Sequence, residues 1–170
     1  DARTKRYEFF NKLVKKYHAN YLMTAHHGDD LMETILMRLT RGSSLKGYSG
    51  FKKEFAYEDY TIVRPLITET KKDIQNYMDE HGYKYYIDQS NFSENYTRNR
   101  YRMKVLPFLK NEDPLVHRKF LKFSEELTDV NNFLEKYIEN LINEISDEEG
   151  IKVTELRKLD KFLLKKVIEY

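Results

Sequence analysis

Residues 21–34 read YLMTAHHGDDLMET, and this stretch decides the fold. Its first part, Tyr21–Ala25, is a short apolar run that predicts a buried strand, and the pattern over Asp30–Thr40 predicts a helix. His26–Asp29 would form the loop between them. Ligands of open α/β sheets bind just beyond the carboxyl ends of strands. A strand-to-helix junction with this many titratable side chains therefore indicates an α/β fold with a ligand site at the junction.

The predicted helix places Asp30 and Glu33 one turn apart on the same face, at its N-terminus. The positive end of the helix dipole favours carboxylates there. Such a pair could hold an ammonium group or Mg²⁺, while a histidine facing the same space could donate to a phosphate or carry a proton. Two other readings stay open. Asp29 or Asp30 could only cap the helix, or the cluster could bind zinc, although its spacing differs from His-Glu-x-x-His.

A second cluster is the basic run Arg98-Asn99-Arg100-Tyr101-Arg102, which follows a polar loop predicted over residues 88–96. Arg98 and Arg102 are i, i+4 neighbours on a helix, so their two guanidinium groups could clamp one anion. Arg100 would point elsewhere and could pair with the acids. A solvated basic helix face is the alternative.

A third cluster combines Arg38, Arg41 and Lys46 with the glycine-rich segment 41–50, which predicts a flexible loop. Basic residues among glycines suit a phosphate or an RNA backbone. The phosphate-binding motifs Gly-x-x-x-x-Gly-Lys-Ser/Thr and Gly-x-Gly-x-x-Gly are both absent. An ordinary loop is therefore equally compatible with the pattern.

The other predicted elements follow from apolar periodicity and from glycine and proline positions. They are helices over 3–18, 70–81, 97–106 and 114–145, one or two short helices after Gly150, a hairpin of 51–57 with 60–63, and a strand over 85–87. This order predicts an α/β domain over residues 1–107 and a helical segment, a linker or tRNA-side domain, over 108–170.

Composition narrows the class of protein. The 170 residues contain no cysteine, which excludes disulfides, cysteine-ligated metals and thiol catalysis. The net charge is only +2, but residues 98–122 carry +6 and residues 123–150 carry −8. A basic block of this kind favours a polyanionic partner. No apolar run approaches the roughly 18 residues of a membrane span, so we expect a cytoplasmic protein without membrane contact.

The three clusters, in this order, resemble the tRNA(Ile)-lysidine synthetases of the N-type ATP pyrophosphatase superfamily. The resemblance is close over residues 2–110, and its most specific parts are the histidine-aspartate run and the arginine-asparagine run as a pair. The matching stretches are Ala2-Arg3, Arg6–Phe10, Ala25–Thr34, Leu39–Ser43, Arg64–Leu66, Lys72–Ile74, Asp88–Asn91, Tyr96–Arg102 and Val105–Pro107.

The resemblance implies the C-terminal part of a Rossmann-like parallel-sheet ATP pyrophosphatase domain, followed by an all-helical segment. It also implies a reaction. ATP adenylates the C2 carbonyl oxygen of the wobble cytidine in an isoleucine tRNA with a CAU anticodon and releases pyrophosphate. The ε-amine of lysine then attacks C2 and displaces AMP to give lysidine. The implied cofactors are ATP and Mg²⁺, and a homodimer stays open.

The resemblance carries over roles for individual residues. Asp30, Glu33 and His26 would be catalytic, and Asp30 with Glu33 could also hold Mg²⁺. The residues expected to bind the substrates or ATP are His27, Asp29, Arg41, Arg98, Asn99, Arg100 and Arg102. On this assignment, replacing Asp30 or Glu33 by alanine would abolish modification of the tRNA and spare the fold.

One departure from the family is that its phosphate loop, Ser-Gly-Gly-x-Asp-Ser, is absent from this sequence. We therefore expect a piece of the enzyme that lacks the phosphate loop and the C-terminal domain, is inactive alone and exposes a sheet edge. Two other functions stay open: a non-catalytic fragment that binds tRNA or a partner, and another tRNA-modifying ATP pyrophosphatase. Thiolating members of the superfamily generally use cysteines, so the composition argues against them.

Overall fold

The computed structural model describes residues 2–89, 93–147 and 150–170. In these ranges the chain forms nine α-helices, one π-helical turn and five strands. They are α1 (Ala2–Tyr17), β1 (Tyr21–Met23), α2 (Gly28–Arg41), α3 (Leu45–Tyr48), β2 (Glu54–Tyr57), β3 (Tyr60–Val63), α4 (Lys71–Glu80), α5 (Thr97–Arg100), the π turn (Tyr101–Val105), α6 (Leu106–Glu112), α7 (Val116–Ile145), β4 (Ser146–Asp147), β5 (Gly150–Ile151), α8 (Val153–Leu156) and α9 (Lys161–Glu169).

The main sheet is mixed, with the strand order β1-β3-β2. β1 runs parallel to β3, with Tyr21 opposite Thr61, and β2 pairs antiparallel with β3. The predicted hairpin is therefore confirmed, and the predicted parallel sheet is correct only for the β1–β3 pair. The parallel pair requires a crossover, which the chain makes through α2.

Strand β1 lies at an edge of this sheet, as the sequence predicts, since no strand of the described residues pairs with its other side. Tyr21 and Met23 are 61% and 69% exposed, so the expectation of a buried strand is wrong. The apolar run suggested burial on both faces, but only one face of β1 is covered by the protein described.

Helix α2 begins at Gly28, two residues earlier than predicted. The Gly28 N–H donates to the carbonyl oxygen of Glu69 at 2.8 Å, and a Cβ on Gly28 would lie 3.1 Å from that oxygen. Only a glycine allows so close an approach without displacing a neighbour. Asp29 consequently lies in the first helical turn and not in a loop.

The buried face of α2 differs in part from the predicted one. Leu31, Met32 and Ile35 are completely buried, and each buried side chain of this size contributes about 2 kcal/mol. Leu39, which we expected on the same face, is 51% exposed. The side chains that pack against α2 therefore cover the first turns of this helix and leave its last turn exposed.

The segment predicted as a flexible loop after α2 contains α3, whose N-cap is Ser44. Arg38 of α2 donates to the carbonyl oxygens of Gly47 and Gly50, at 2.6 and 2.9 Å. Gly50 has a φ of 77°, and a Cβ there would lie 2.7 Å from a Leu31 methyl group. The glycines of this segment therefore allow close packing against α2 as well as a turn of the chain.

Helix α4 confirms the predicted helix, with Thr70 as its N-cap and Gly82 at a φ of 65° after its end. Tyr77 was expected to face inward but is 55% exposed. The strand predicted over residues 85–87 is absent, and Tyr86 is fully exposed. Of the polar loop that follows, residues 90–92 lie outside the part of the chain that the structure describes.

Helices α5 and α6 are joined by the π turn into one helical stretch. The N–H of Leu106 donates to Tyr101, five residues back, as a π-helical bond requires. The predicted end of this helix near Pro107 is wrong. Pro107 lies in the first turn of α6, where a helix tolerates the missing N–H, and the helix continues to Glu112.

The chain divides into two compact units, Asp1–Glu125 and Glu126–Tyr170. The second unit has its own core around Ile138, Ile145 and Val167. It also contains the short β4–β5 ladder, so the expectation of an all-helical segment is incorrect. The assignment of separate domains to either side of residue 107 stays a prediction. In the described ranges, no helix combines the length and apolar character that crossing a membrane requires.

Candidate functional site

The centre of the junction is a buried carboxylate held by two guanidinium groups. Glu33 has no exposed surface. Arg102 Nε lies 2.7 Å from Glu33 Oε1, and Arg98 Nε lies 3.2 Å from Glu33 Oε2. We call Glu33, Arg98 and Arg102 the carboxylate clamp. The predicted arginine pair does hold one anion, and that anion is a side chain of the protein.

Burial raises the pKa of the Glu33 carboxyl above its ordinary value, and the hydrogen bond from Arg102 acts against this. Burial would by itself lower the pKa of Arg102, but its hydrogen bond to Glu33 and their opposite charges raise it. The two guanidinium groups on one carboxylate are arranged as an ion-pair cluster. Glu33 depends on them, because a buried carboxylate without a counter-charge is very costly.

Asp30 lies beside the clamp and has two partners. Its Oδ1 is 3.4 Å from Arg102 Nη2, and its Oδ2 accepts the backbone N–H of His27 at 3.1 Å. Asp30 therefore does cap α2, one of the readings left open by the sequence. It also lines a cleft, so capping does not describe its whole environment.

His27 and Asp29 were both predicted to bind substrates or ATP. His27 is the N-cap residue of α2, and Asp29 lies in the first turn of that helix. Burial lowers the pKa of His27, whose imidazole is 3.4 Å from Asp30. Asp29 is 5% exposed, and its Oδ2 accepts Lys110 Nζ at 2.7 Å and the N–H of Lys71 at 3.2 Å. Asp29 thus joins α2 to α4 and α6 and does not face the clefts described below.

Asn99 and Arg100 are also placed away from the clamp. Asn99 is buried and donates to the carbonyl oxygen of Ser93 at 2.8 Å. Arg100 donates to the carbonyl oxygen of Glu94 at 2.8 Å and to the Thr97 hydroxyl at 3.0 Å. The expectation that Arg100 pairs with the acids is wrong, because the helical rotation gives that role to Arg98 and Arg102.

A cleft of about 450 Å³ opens where β1 ends, and we call it the junction cleft. His26 lies in its wall, with Nδ1 2.9 Å from the Thr24 hydroxyl. Asp30 and Arg98 contribute charges of opposite sign. The lining residues are Arg6, Tyr7, Phe10, Met23, Thr24, Ala25, His26, Asp30 and Arg98.

A second cleft of about 210 Å³ lies next to it, and we call it the arginine cleft. His26 and Arg98 line both clefts, so the two share a wall. Four arginines line the arginine cleft, and three of them, Arg38, Arg41 and Arg98, were singled out from the sequence. The lining residues are His26, Thr34, Met37, Arg38, Arg41, Phe51, Arg64 and Arg98.

Arg64 is a site residue that the sequence analysis did not assign. It is 4% exposed, and its guanidinium lies 4.9 Å from the ring centre of Phe51 and 5.1 Å from that of Phe55. The available signal was its position directly after β3. Because β3 is parallel to β1, the residues after both strands reach the same sheet edge. Arg6, Tyr7 and Phe10 of α1 were missed because their contact with the junction depends on tertiary packing.

The sequence left open that Asp30 and Glu33 hold Mg²⁺, and these residues do not fit it in this arrangement. Both carboxylates face the Arg102 guanidinium, and Glu33 is enclosed between two arginines. A cation would have to displace them. Among the residues described, no three or more histidine, aspartate or glutamate side chains are grouped to hold a metal ion.

Residues 1–109 match the PP-loop domain family. The tRNA(Ile)-lysidine synthase of Bacillus subtilis (strain 168) is 44% identical over 144 residues, which are 85% of this chain and 30% of that protein. The tRNA(Ile)-lysidine synthase of Bacillus thuringiensis subsp. konkukian is 44% identical over 151 residues, or 89% of this chain and 32% of that protein.

The bifunctional protein TilS/HprT of Listeria innocua is similar as well, with 44% identity over 153 residues, 90% of this chain and 24% of that protein. The chain thus spans between 24% and 32% of the length of these relatives. The match with the family extends through β1, α2 and the arginine run, the elements that form the clamp and the two clefts. The chain therefore belongs to the PP-loop domain family, and the predicted resemblance to the tRNA(Ile)-lysidine synthetases is confirmed.

Proposed function

We propose that this chain forms part of a tRNA(Ile)-lysidine synthetase, which uses ATP to attach lysine to C2 of the wobble cytidine of an isoleucine tRNA. One observation carries the proposal: a cleft with four arginines and a cleft with a carboxylate share a wall made of His26 and Arg98. This arrangement suits a polyanion and an ammonium group that must meet. The family relationship supports ATP as the nucleotide.

The arginine cleft is the proposed site of a phosphate, from ATP or from the tRNA. Guanidinium groups bind phosphate through paired, charge-assisted hydrogen bonds, and such donors also stabilise the charge that develops as AMP leaves. Arg98 retains 47% of its side-chain exposure although it is bound to Glu33. It can therefore contact a ligand without leaving the clamp.

The junction cleft is the proposed site of lysine. The Asp30 carboxylate would hold its ammonium group, and the half-exposed Arg98 side chain would hold its carboxylate. His26, whose ring orientation is fixed by Thr24, would accept the proton that the amine loses when it attacks C2. Glu33 has a positioning role in this scheme, since it contacts the arginines and not the cleft.

The order and direction of the strands support the predicted Rossmann-like domain. β1 and β3 are parallel neighbours joined through α2, and the clefts lie at the carboxyl end of β1. Ligands of doubly wound sheets bind at that end. We propose that β1, α2 and β3 are one crossover unit of such a sheet.

The test compares Arg98→Ala with Arg100→Ala in the full-length protein. Arg98 lines both clefts. Arg100, two residues further along, binds the backbone carbonyl of Glu94 and is therefore a matched control. We expect Arg98→Ala to lower kcat/KM for lysine-dependent pyrophosphate release by about a hundredfold, the usual effect of one lost transition-state donor. Arg100→Ala should stay near the wild-type rate.

Thermal unfolding of both variants would establish that each remains folded. Wild-type kinetics in Arg98→Ala would contradict the proposed role. Equal losses in the two variants, with a reduced salt dependence of tRNA binding, would instead identify the run as a contact to the tRNA backbone and favour a binding function.

A further inference from the structure

A third cleft, of about 470 Å³, lies between α1 and the β2–β3 hairpin. We call it the helix–hairpin cleft. Its walls combine three aromatic rings with two carboxylates, and no described residue that lines it is basic. The cleft is lined by, among others, Tyr7, Glu8, Asn11, Phe55, Tyr57 and Glu58.

The aromatic rings of this cleft meet at an angle. Phe55 and Tyr57 are two residues apart and therefore lie on the same face of β2. Their ring centres are 6.1 Å apart, and the ring planes meet at 84°. The Tyr7 ring lies 6.0 Å from Tyr57 at 52°. All three rings border the cleft, and the negative faces of aromatic rings attract cations.

The acidic side of the cleft is held in place by hydrogen bonds. The Asn11 amide donates to Glu58 Oε1 at 3.1 Å and itself accepts the Tyr60 hydroxyl. Glu58 adopts a φ of 49°, the left-handed region that disfavours side chains other than glycine, asparagine and aspartate. The hydrogen bond from Asn11 places the partly exposed Glu58 carboxylate at the rim of the cleft.

Two cations of the protein already use these residues. The Arg64 guanidinium lies 5.1 Å from the ring centre of Phe55. Lys15 Nζ lies 3.8 Å from Glu58 Oε2, a long and solvent-exposed contact that a ligand could replace. Phe55 thus contacts a guanidinium group of the protein, and Glu58 contacts an ammonium group.

We propose that the helix–hairpin cleft is a binding site for an alkylammonium group, either a lysine side chain of a partner or a polyamine. Aromatic walls with a carboxylate at the mouth are the usual way in which proteins recognise organic cations. The charged groups of the lysidine chemistry are separate from this cleft, because Asp30, Arg98 and His26 line other clefts and Tyr7 alone of its described lining residues also lines the junction cleft.

The test follows backbone amide NMR signals of the 170-residue chain during titration with Nα-acetyl-lysine amide. Its neutral counterpart, Nα-acetyl-norleucine amide, controls for the apolar part of the probe. We expect saturable shifts at Tyr57 and Glu58 with the lysine probe only. Shifts at residues 26–30 would report binding at the junction cleft and are separated by position.

Three variants examine the cause. Glu58→Gln and Tyr57→Leu should each weaken binding by about two- to fivefold, the factor expected for one exposed charge or cation–π contact, and Tyr57→Phe should retain it. Glu54→Gln is the matched control, because Glu54 lies on the opposite face of β2. Glu58→Gln keeps the test valid if Tyr57→Leu does not fold.

A spermidine titration distinguishes the two sources of the cation, and tighter binding of either probe assigns the source while supporting the site. The proposal is overturned if neither cation shifts Tyr57 and Glu58 saturably. It is also overturned if norleucine amide binds as well as lysine amide, or if Glu54→Gln weakens binding as much as Glu58→Gln.

Discussion

Glu33 is a charged side chain with no exposed surface, so its contribution depends on Arg98 and Arg102. Burying an ion pair gives little net stability, but removing one partner leaves a charge buried without compensation. Arg98 keeps part of its side chain in solvent, whereas Arg102 is 77% covered. Loss of Glu33 would therefore affect mainly Arg102.

We predict that Glu33→Ala lowers the free energy of unfolding by about 3–5 kcal/mol, the usual cost of breaking a buried pair. Urea denaturation of the 170-residue chain measures this. Asp30→Ala is the control, since its contact to Arg102 is 3.4 Å long, and it should cost about 1 kcal/mol. A loss below 1 kcal/mol for Glu33→Ala would contradict the clamp. The prediction departs from the sequence-based expectation that both substitutions spare the fold.

Helical periodicity was enough to predict that Asp30 and Glu33 share a face and that Arg98 and Arg102 act together. It could not identify the anion that the arginines hold. That contact joins residues far apart in sequence and forms only when α2 packs against the helix that carries the arginines. Arg64 escaped assignment for the same reason, because its place beside Phe51 depends on tertiary contacts.

Among the elements, α4 has a reciprocal N-terminal cap. The Thr70 hydroxyl accepts the N–H of Asp73 at 3.1 Å, and Asp73 Oδ2 accepts the N–H of Thr70 at 2.9 Å. The hydrogen bonds from the Thr70 hydroxyl and backbone lower the pKa of Asp73 below its ordinary value of 3.8. The cap thus requires an ionised carboxylate.

We predict that Asp73→Asn destabilises the chain by about 1 kcal/mol at pH 7, the typical cost of a lost cap. A depressed carboxyl pKa contributes stability above the unfolded value of 3.8, and this contribution is lost as the pH falls through the lower folded value. The difference between variant and wild type should therefore shrink below pH 3.8.

Denaturation at several pH values checks this, with Asp79→Asn near the other end of α4 as the control. A carboxylate there opposes the helix dipole, so its removal should leave stability unchanged or slightly higher. A pH-independent difference for Asp73→Asn would show that lost packing, and not the charge, is responsible.

Elements with a regular period and capping residues were predictable, as α1, α4 and α7 show. The strand expected over residues 85–87 rested on three adjacent β-formers, and a short apolar run carries no partner information. The π turn has no sequence signal of its own, since it inserts a residue into an otherwise ordinary helical pattern.

At the scale of the whole molecule, the clearest consequence comes from the side of β1 on which no described strand pairs. Unpaired strand edges are templates for association with another chain. We predict that the 170-residue chain associates in a concentration-dependent way and that Met23→Lys suppresses this, because a charge on an edge strand opposes pairing. Sedimentation velocity at several concentrations measures it.

The control is Val130→Lys, which places the same charge on a similarly exposed apolar residue of α7, 53% exposed. It should not change the association. Suppression by Val130→Lys alone would locate the contact away from the sheet. A chain that stays monomeric at every concentration would contradict the role of the edge.

The π turn also sets which cations face the acids of α2. At about 100° per residue, Lys110 would lie about 120° around an unbroken α-helix from Arg98. The extra residue of the π turn reduces this offset to about 20°, so Arg98, Arg102 and Lys110 face Glu33, Asp30 and Asp29 together. Deleting one residue from Tyr101–Val105 would rotate Lys110 away from Asp29. It would break this pairing of charges as effectively as replacing Lys110. The length of this segment is therefore as much a determinant of the site as the identity of its side chains.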